Sequence, residues 1–214
     1  QLMADGGHIA RNPQTIVDLL LELLPLRQAY AARGTQMPAS LLNAIDRIMP
    51  MLRLLRHGDG TLALFNGMSV TQPELIATLL AYDDVRGRAL LNAPYSGYQR
   101  MEAGGAALIV DTGRPPPPSY STEAHAGCLS FEFSFGGERI IVNCGAPGPN
   151  RNAAREMTRT SAAHSALIID DTSSCRFSSS AGLDRFFQGQ ILSGPTRVEL
   201  ARSNTADGER LALS

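Results

Sequence analysis

The chain has 214 residues, 43% of them hydrophobic, enough for one large domain or two small ones around a packed core. A net charge of -1 argues against a general nucleic-acid or membrane-surface binder, which needs a basic excess. All 19 basic residues are arginine, whose forked guanidinium suits carboxylate and sulfate, although a coding bias gives the same composition. Cys128, Cys144 and Cys175 show no CxxC spacing. They read as buried free thiols, with a single Cys128–Cys144 bridge left open. No apolar run reaches the length of about 18 residues that a membrane helix needs, so no membrane insertion is expected. The chain opens at Gln1 in a helix-rich stretch without a signal-peptide pattern, and it reads as a fragment of a longer protein.

Asn12 reads as a helix cap with Pro13 in the first turn. Ile16, Val17, Leu20, Leu23, Leu24 and Leu26 form the apolar stripe, and Gly34 stops it. Pro25 is expected to kink or divide this helix. A second helix is predicted from about Pro38 through Leu55 to Gly58, with another kink at Pro50. A third has Thr71 as cap, Pro73 in its first turn and Glu74 closing a capping box, and runs to about Tyr82. Antiparallel helices of this kind suggest a bundle or toroid.

After about residue 90 the pattern changes to strands. Tyr98 to Glu102 and Ala106 to Asp111 predict a hairpin around Gly104-Gly105. Pro115 to Pro118 predict a stiff extended segment. Leu129, Phe131, Phe133 and Phe135 alternate with polar residues, so they are expected to share the buried face of a strand. A Gly136-Gly137 turn leads into a partner strand from Arg139 to Gly145. A Gly/Pro/Asn-rich loop spans Gly145 to Asn152, and further strands are predicted at Ala166 to Asp170, Arg197 to Arg202 and Glu209 to Leu213.

His8 sits in a glycine-flexed loop that opens a helix, where Arg11 and the helix N-terminus favour an anionic ligand. The plainer reading is a loop histidine that hydrogen-bonds backbone. His125, Asn143 and His164 lie at the ends of neighbouring strands, and two imidazoles plus an oxygen suit zinc with one open position. Alternatively His125 faces a cleft and His164 is structural. His57 is read as a helix C-terminal residue favoured by the dipole. Arg151, Arg155 and Arg159 recur every four residues and predict one helical face. Tyr95 and Tyr98 are potential proton donors or packing residues. No GxGxxG, P-loop, GxSxG or HExxH element occurs, which disfavours nucleotide, serine-hydrolase and zincin readings.

Several blocks together resemble the heparinase II/III-like polysaccharide lyases. They are Asp5-Gly6-Gly7-His8 to Pro13, then Ser96-Gly97-Tyr98 with Ala107 to Gly113, then His125 to Phe131, Ile141 to Gly145 and Arg159 to Ser165. The resemblance implies an α+β multidomain chain. Residues 1–90 would be the last helices of an (α/α) toroid, and residues 91–214 the first part of an antiparallel β-sandwich. It implies a carbon–oxygen lyase that cleaves an acidic, uronate-containing glycan by β-elimination. His8 and His125 would be catalytic, and Arg11, Asn12, Tyr98 and Arg159 would bind substrate. His125, Asn143 and His164 match positions that bind zinc in some members, so a structural zinc is possible and no cofactor is required. The implied location is the periplasm or cell envelope, with the cytoplasm open because the N-terminus is absent.

The departures from the family pattern are specific. Gly7 replaces the usual Asn or His, and Gly60 to Gly67 lacks the expected tyrosine. Glu123 stands for a histidine, Gly127 for an aspartate and Asn143 for the metal aspartate. They open two alternatives: a catalytically inactive glycan-binding or envelope-associated relative, and a metal-dependent hydrolase.

Overall fold

A computed structural model describes residues 1–83, 87–148, 152–178, 189–206 and 208–213. Helix α1 (Pro13–Ala32) starts where expected. Asn12 is extended, its side chain accepts from the Gln14 N–H at 2.9 Å, and Pro13 fills the first position. Helix α2 (Ala39–Leu54) comes next. Both helices run unbroken through their prolines, so Pro25 does not divide α1 and Pro50 lies within α2. The carbonyls that lose a donor belong to Leu21 and Asp46, both on exposed residues, so solvent can satisfy them. Helix α3 (Pro73–Ala81) has Gln72 as its cap, not Thr71. The Thr71 hydroxyl instead accepts from the Leu62 N–H at 3.3 Å.

A five-stranded antiparallel sheet has the order β1 (Asn92–Ala93), β2 (Tyr98–Ala103), β3 (Ala106–Asp111), β4 (Phe131–Phe135), β5 (Glu138–Ile141). The β2–β3 turn puts Gly104 and Gly105 at φ +55° and +87°, which glycine adopts without strain. Helix α4 (Asn152–Thr158) and two hairpins complete the described chain. Strand β6 (Arg176–Phe177) pairs with β7 (Ile191–Ser193), and β8 (Leu200–Thr205) pairs with β9 (Gly208–Leu213). The strand expected at Ala166 to Asp170 does not form. Asp170 and Asp171 take φ +50° and +52°, and only an isolated Ile169–Thr172 bridge remains. Part of the expected 145–152 loop, and Arg151, lie outside the described residues.

The architecture is therefore α+β with antiparallel pairing. Helices and sheet share one core, in which Ile16, Leu20, Leu52 and Phe65 pack with Tyr98 and Ile109. The alternation along β4 is as expected, but its phase is reversed. Glu132 and Ser134 are buried on the helix side, while Phe131 and Phe133 are only partly buried and Phe135 is 56% exposed. The register explains the inward face: Glu132 stands opposite Ile109, which belongs to the shared core. Cys128, Cys144 and Cys175 are all free thiols, so the Cys128–Cys144 bridge is not made.

Candidate functional site

The loop before α1 is fastened to the sheet at two points. The Asp5 carboxylate accepts from the N–H groups of Tyr95 (2.8 Å) and Ser96 (2.7 Å), and also from Gly7 (3.1 Å). Gly7 is required here, because a Cβ would stand 2.4 Å from that of Ser96. Arg11 then turns inward at φ +58° and is buried. Its guanidinium donates to the Ser96 carbonyl (2.7 Å), to the Arg114 carbonyl (2.8 Å) and to the Asp111 carboxylate, and it lies 5.1 Å from the Tyr98 ring centre. Burial disfavours the Arg11 cation, but Asp111 outweighs it and raises the pKa.

Asn66 closes this network from the helical side. Its amide donates to the Tyr98 hydroxyl and to Asp111 Oδ2, both at 3.0 Å, and its oxygen accepts from the His125 N–H at 3.5 Å. The Tyr98 hydroxyl donates to the Arg11 carbonyl, and burial pushes its pKa up. His8 itself is half-buried. Its Nδ1 accepts from the Ala10 N–H at 3.2 Å, and its Nε2 lies 3.0 Å from the Gln1 nitrogen. Burial lowers its pKa.

His125 and His164 do converge. His164 Nδ1 lies 2.8 Å from the Thr160 carbonyl, which can only accept, so His164 Nε2 is bare. His125 Nδ1 therefore donates to it, across 3.1 Å, and the bare nitrogen of the pair is His125 Nε2. His125 is 4% exposed. Burial, helped by His164 and the nearby arginines, depresses its pKa to about 3, and burial lowers that of His164 too. Gly127 leaves room for the pair: a Cβ there would come within 3.1 Å of the His164 ring.

Asn143 does not join the pair. Its oxygen accepts from the Ser165 N–H (2.9 Å), and its amide donates to Glu132 Oε1 (3.2 Å). The pair brings two imidazoles and no third protein donor, one fewer than the three protein ligands of an open zinc site. Among the described residues, no group of three or more His, Cys, Asp or Glu could hold a metal ion.

A second buried polar assembly was not expected from the sequence. Glu132 is fully buried, and its Oε1 accepts from the N–H groups of Leu64 and Asn143, each at 3.0 Å. Its Oε2 accepts from His57 Nε2 at 3.1 Å and from the Arg139 guanidinium. Burial alone would raise the Glu132 pKa, but His57, Arg139 and the Asn143 N–H outweigh it and hold the carboxyl below its ordinary range. His57 thus belongs to the sheet contact, with its other nitrogen 2.8 Å from the Ser134 hydroxyl. Only the polar phase of β4 in the sequence hints at this arrangement.

The remaining expected residues hold the fold together. Asn12 caps α1. Arg159 is buried, donates to the carbonyls of Ala124 (2.8 Å) and Ser121 (3.1 Å), and stands 4.2 Å from the Phe177 ring centre. Arg155 pairs with Glu123, so Arg155 and Arg159 do not share one ligand face. His8 alone of the expected catalytic and substrate-binding set is half-open without a fixed structural task in the core.

A family model described as "Heparinase II/III-like, C-terminal" matches residues 85–211. The FtsZ-localized protein C of Caulobacter vibrioides is 38% identical over 169 residues, which is 79% of this chain and 29% of that protein. Among solved structures, Heparinase III superposes with a TM-score of 0.69 at 12% identity, covering all of this chain and 36% of that one. A mutant of the heparan sulfate lyase HepC from Pedobacter heparinus gives 0.64 at 16% identity, covering 84% and 33%. The chain thus spans about a third of these proteins, and the structural likeness shows the fold.

Proposed function

Because the chain belongs to the heparinase II/III-like family, we propose that the protein acts on an acidic, uronate-containing polysaccharide by β-elimination. In that reading residues 1–90 are the last helices of a toroid, and residues 91–214 open a sandwich. The observation that carries it is His8, a half-open imidazole in the loop before α1, which burial holds toward its neutral form. Elimination requires the uronate carboxylate to be neutralised, so that a base can take the C5 proton while an acid serves the leaving oxygen. A ring N–H of His8 turned to the carboxylate would meet the first requirement. His125 is then a positioning residue, because its Nδ1 is committed to His164 and its N–H to Asn66.

The test is the ultraviolet absorbance of unsaturated uronate during incubation with heparan, chondroitin, alginate and pectate substrates. A rise that His8→Ala abolishes is expected. A flat trace with the unaltered protein on every substrate overturns elimination.

A second reading is a non-catalytic relative. Its specific support is the 38% identity to a protein named for its localisation with FtsZ, against 12 to 16% to the lyase structures. The inward commitment of Arg11, Tyr98 and Arg159 agrees with it. The first reading goes with the periplasm or envelope, and the second with the compartment that holds FtsZ. Binding to purified FtsZ together with a flat absorbance trace would favour the second.

A further inference from the structure

A cavity of about 580 Å³ opens where β1, the start of β2, the end of β3 and the proline run meet. That size suits a small ligand, since such sites span roughly 300 to 1,000 Å³. Among the described residues, no histidine and no acidic side chain lines it. Two of its walls carry side chains that the fold does not use. Tyr95 is 66% exposed, yet Asp5 fixes its turn through the N–H groups of Tyr95 and Ser96. The Arg114 side chain is exposed and has no ion pair among the described residues, while its carbonyl is held by Arg11 at 2.8 Å. Gly113, just before it, donates to Asp111 at 3.0 Å, and Pro115 to Pro117 stiffen the chain just after it. Charged side chains, the half-buried Asp5 and the buried Arg11, thus fix the backbone under both groups.

We propose that this cavity is a subsite for one acidic sugar ring. Tyr95 takes the apolar face of the ring, and Arg114 pairs with its carboxylate or sulfate. An aromatic side chain on a fastened turn loses little freedom on binding, so its contact area is used efficiently. The absence of acidic lining leaves the Arg114 charge uncompensated, which selects an anionic sugar over a neutral one. The assignment rests on the polysaccharide reading above and adds where a sugar ring sits.

The test is calorimetric binding of heparan sulfate and alginate oligosaccharides by the whole protein at low and high salt, with a neutral cello-oligosaccharide as control. Tyr95→Ala is expected to weaken acidic binding about tenfold or more, and Tyr95→Phe to retain it. Arg114→Ala is expected to weaken it similarly and to flatten the salt dependence. Both side chains are exposed, so neither change should unfold the protein. If the unaltered protein binds and both alanine variants bind equally well, the subsite is wrong while the polysaccharide reading stands. Equal affinity for the neutral oligosaccharide overturns the role of Arg114. If the unaltered protein binds no acidic oligosaccharide, both ideas fall.

Discussion

Replacing Glu132 by glutamine should destabilise the protein far more than its isosteric shape suggests. The native carboxylate accepts from Leu64 N–H, Asn143 N–H and Asn143 Nδ2 on one oxygen, and from His57 and Arg139 on the other. In Glu132→Gln the amide oxygen can still serve the first group. The NH₂ then faces His57 Nε2 and the Arg139 guanidinium, which are both donors. Arg139 loses its counter-charge, although only 16% of its side chain is exposed. Breaking a buried pair by removing one partner costs about 3 to 5 kcal/mol. Urea unfolding at pH 7 measures this directly, with a lower midpoint and an unchanged slope expected. The native Glu132 pKa is depressed, so its contribution is present above the unfolded value of 4.5 and fades as pH falls through the lower folded value. The two proteins should therefore converge in stability on acidification. A loss of less than about 1 kcal/mol at pH 7, or a difference that persists in acid, would refute the clamp.

The other buried contacts are testable in the same way. Asp111→Ala leaves Arg11 buried and uncompensated, and should lower stability by about 3 to 5 kcal/mol. Adding Arg11→Met should recover a large part of that, and strict additivity of the two losses in thermal melts would contradict a direct pair. Acid should destabilise the protein well before Glu132 titrates. The folded His125 pKa is about 3 against 6.5 unfolded, so stability is full above 6.5 and falls as pH drops toward 3. The slope reaches at most about 1.4 kcal/mol per pH unit for each such histidine, and His125→Gln should reduce it in urea melts at pH 7.5, 6 and 5. Asn12→Ala should cost about 0.5 to 2 kcal/mol through the lost cap, and melting unchanged within error would exclude that role.

Local signals held at one helix start and two turns, and failed at the start of α3, where Gln72 and not Thr71 is the cap. The Asn12-Pro13 start, the Gly104-Gly105 turn and the Gly136-Gly137 turn each depend on neighbouring residues alone. The face of β4 was not legible, because alternation fixes a period and not a phase. Four apolar residues outweighed Glu132 and Ser134 by composition, yet the polar pair faces inward because His57, 75 and 77 residues away, satisfies both. The convergence of His125 and His164 was expected from strands, yet both stand in loops, and the commitment of Asn143 to Glu132 had no signal at all. Arg11 and Arg159 looked like ligand residues because charge is usually solvated. Nothing local announces that backbone carbonyls and an aspartate wait for them in the interior.

The junction between helices and sheet also has a kinetic meaning. The β2–β3, β4–β5 and β8–β9 hairpins each close over a few residues, but Glu132 meets Leu64 across 68 positions, and Arg11 meets Asp111 across 100. Closing such separations is entropically slow, so helices and hairpins are expected to form early and the clamps to lock last. Mutations at Glu132 or Asp111 should then speed unfolding and leave the folding rate nearly unchanged. A folding arm slowed in proportion to the lost stability would place the clamps in the nucleus instead. On the expected order, the two carboxylates govern how long the helices and the sheet stay joined, and so how long the shared core lasts once formed.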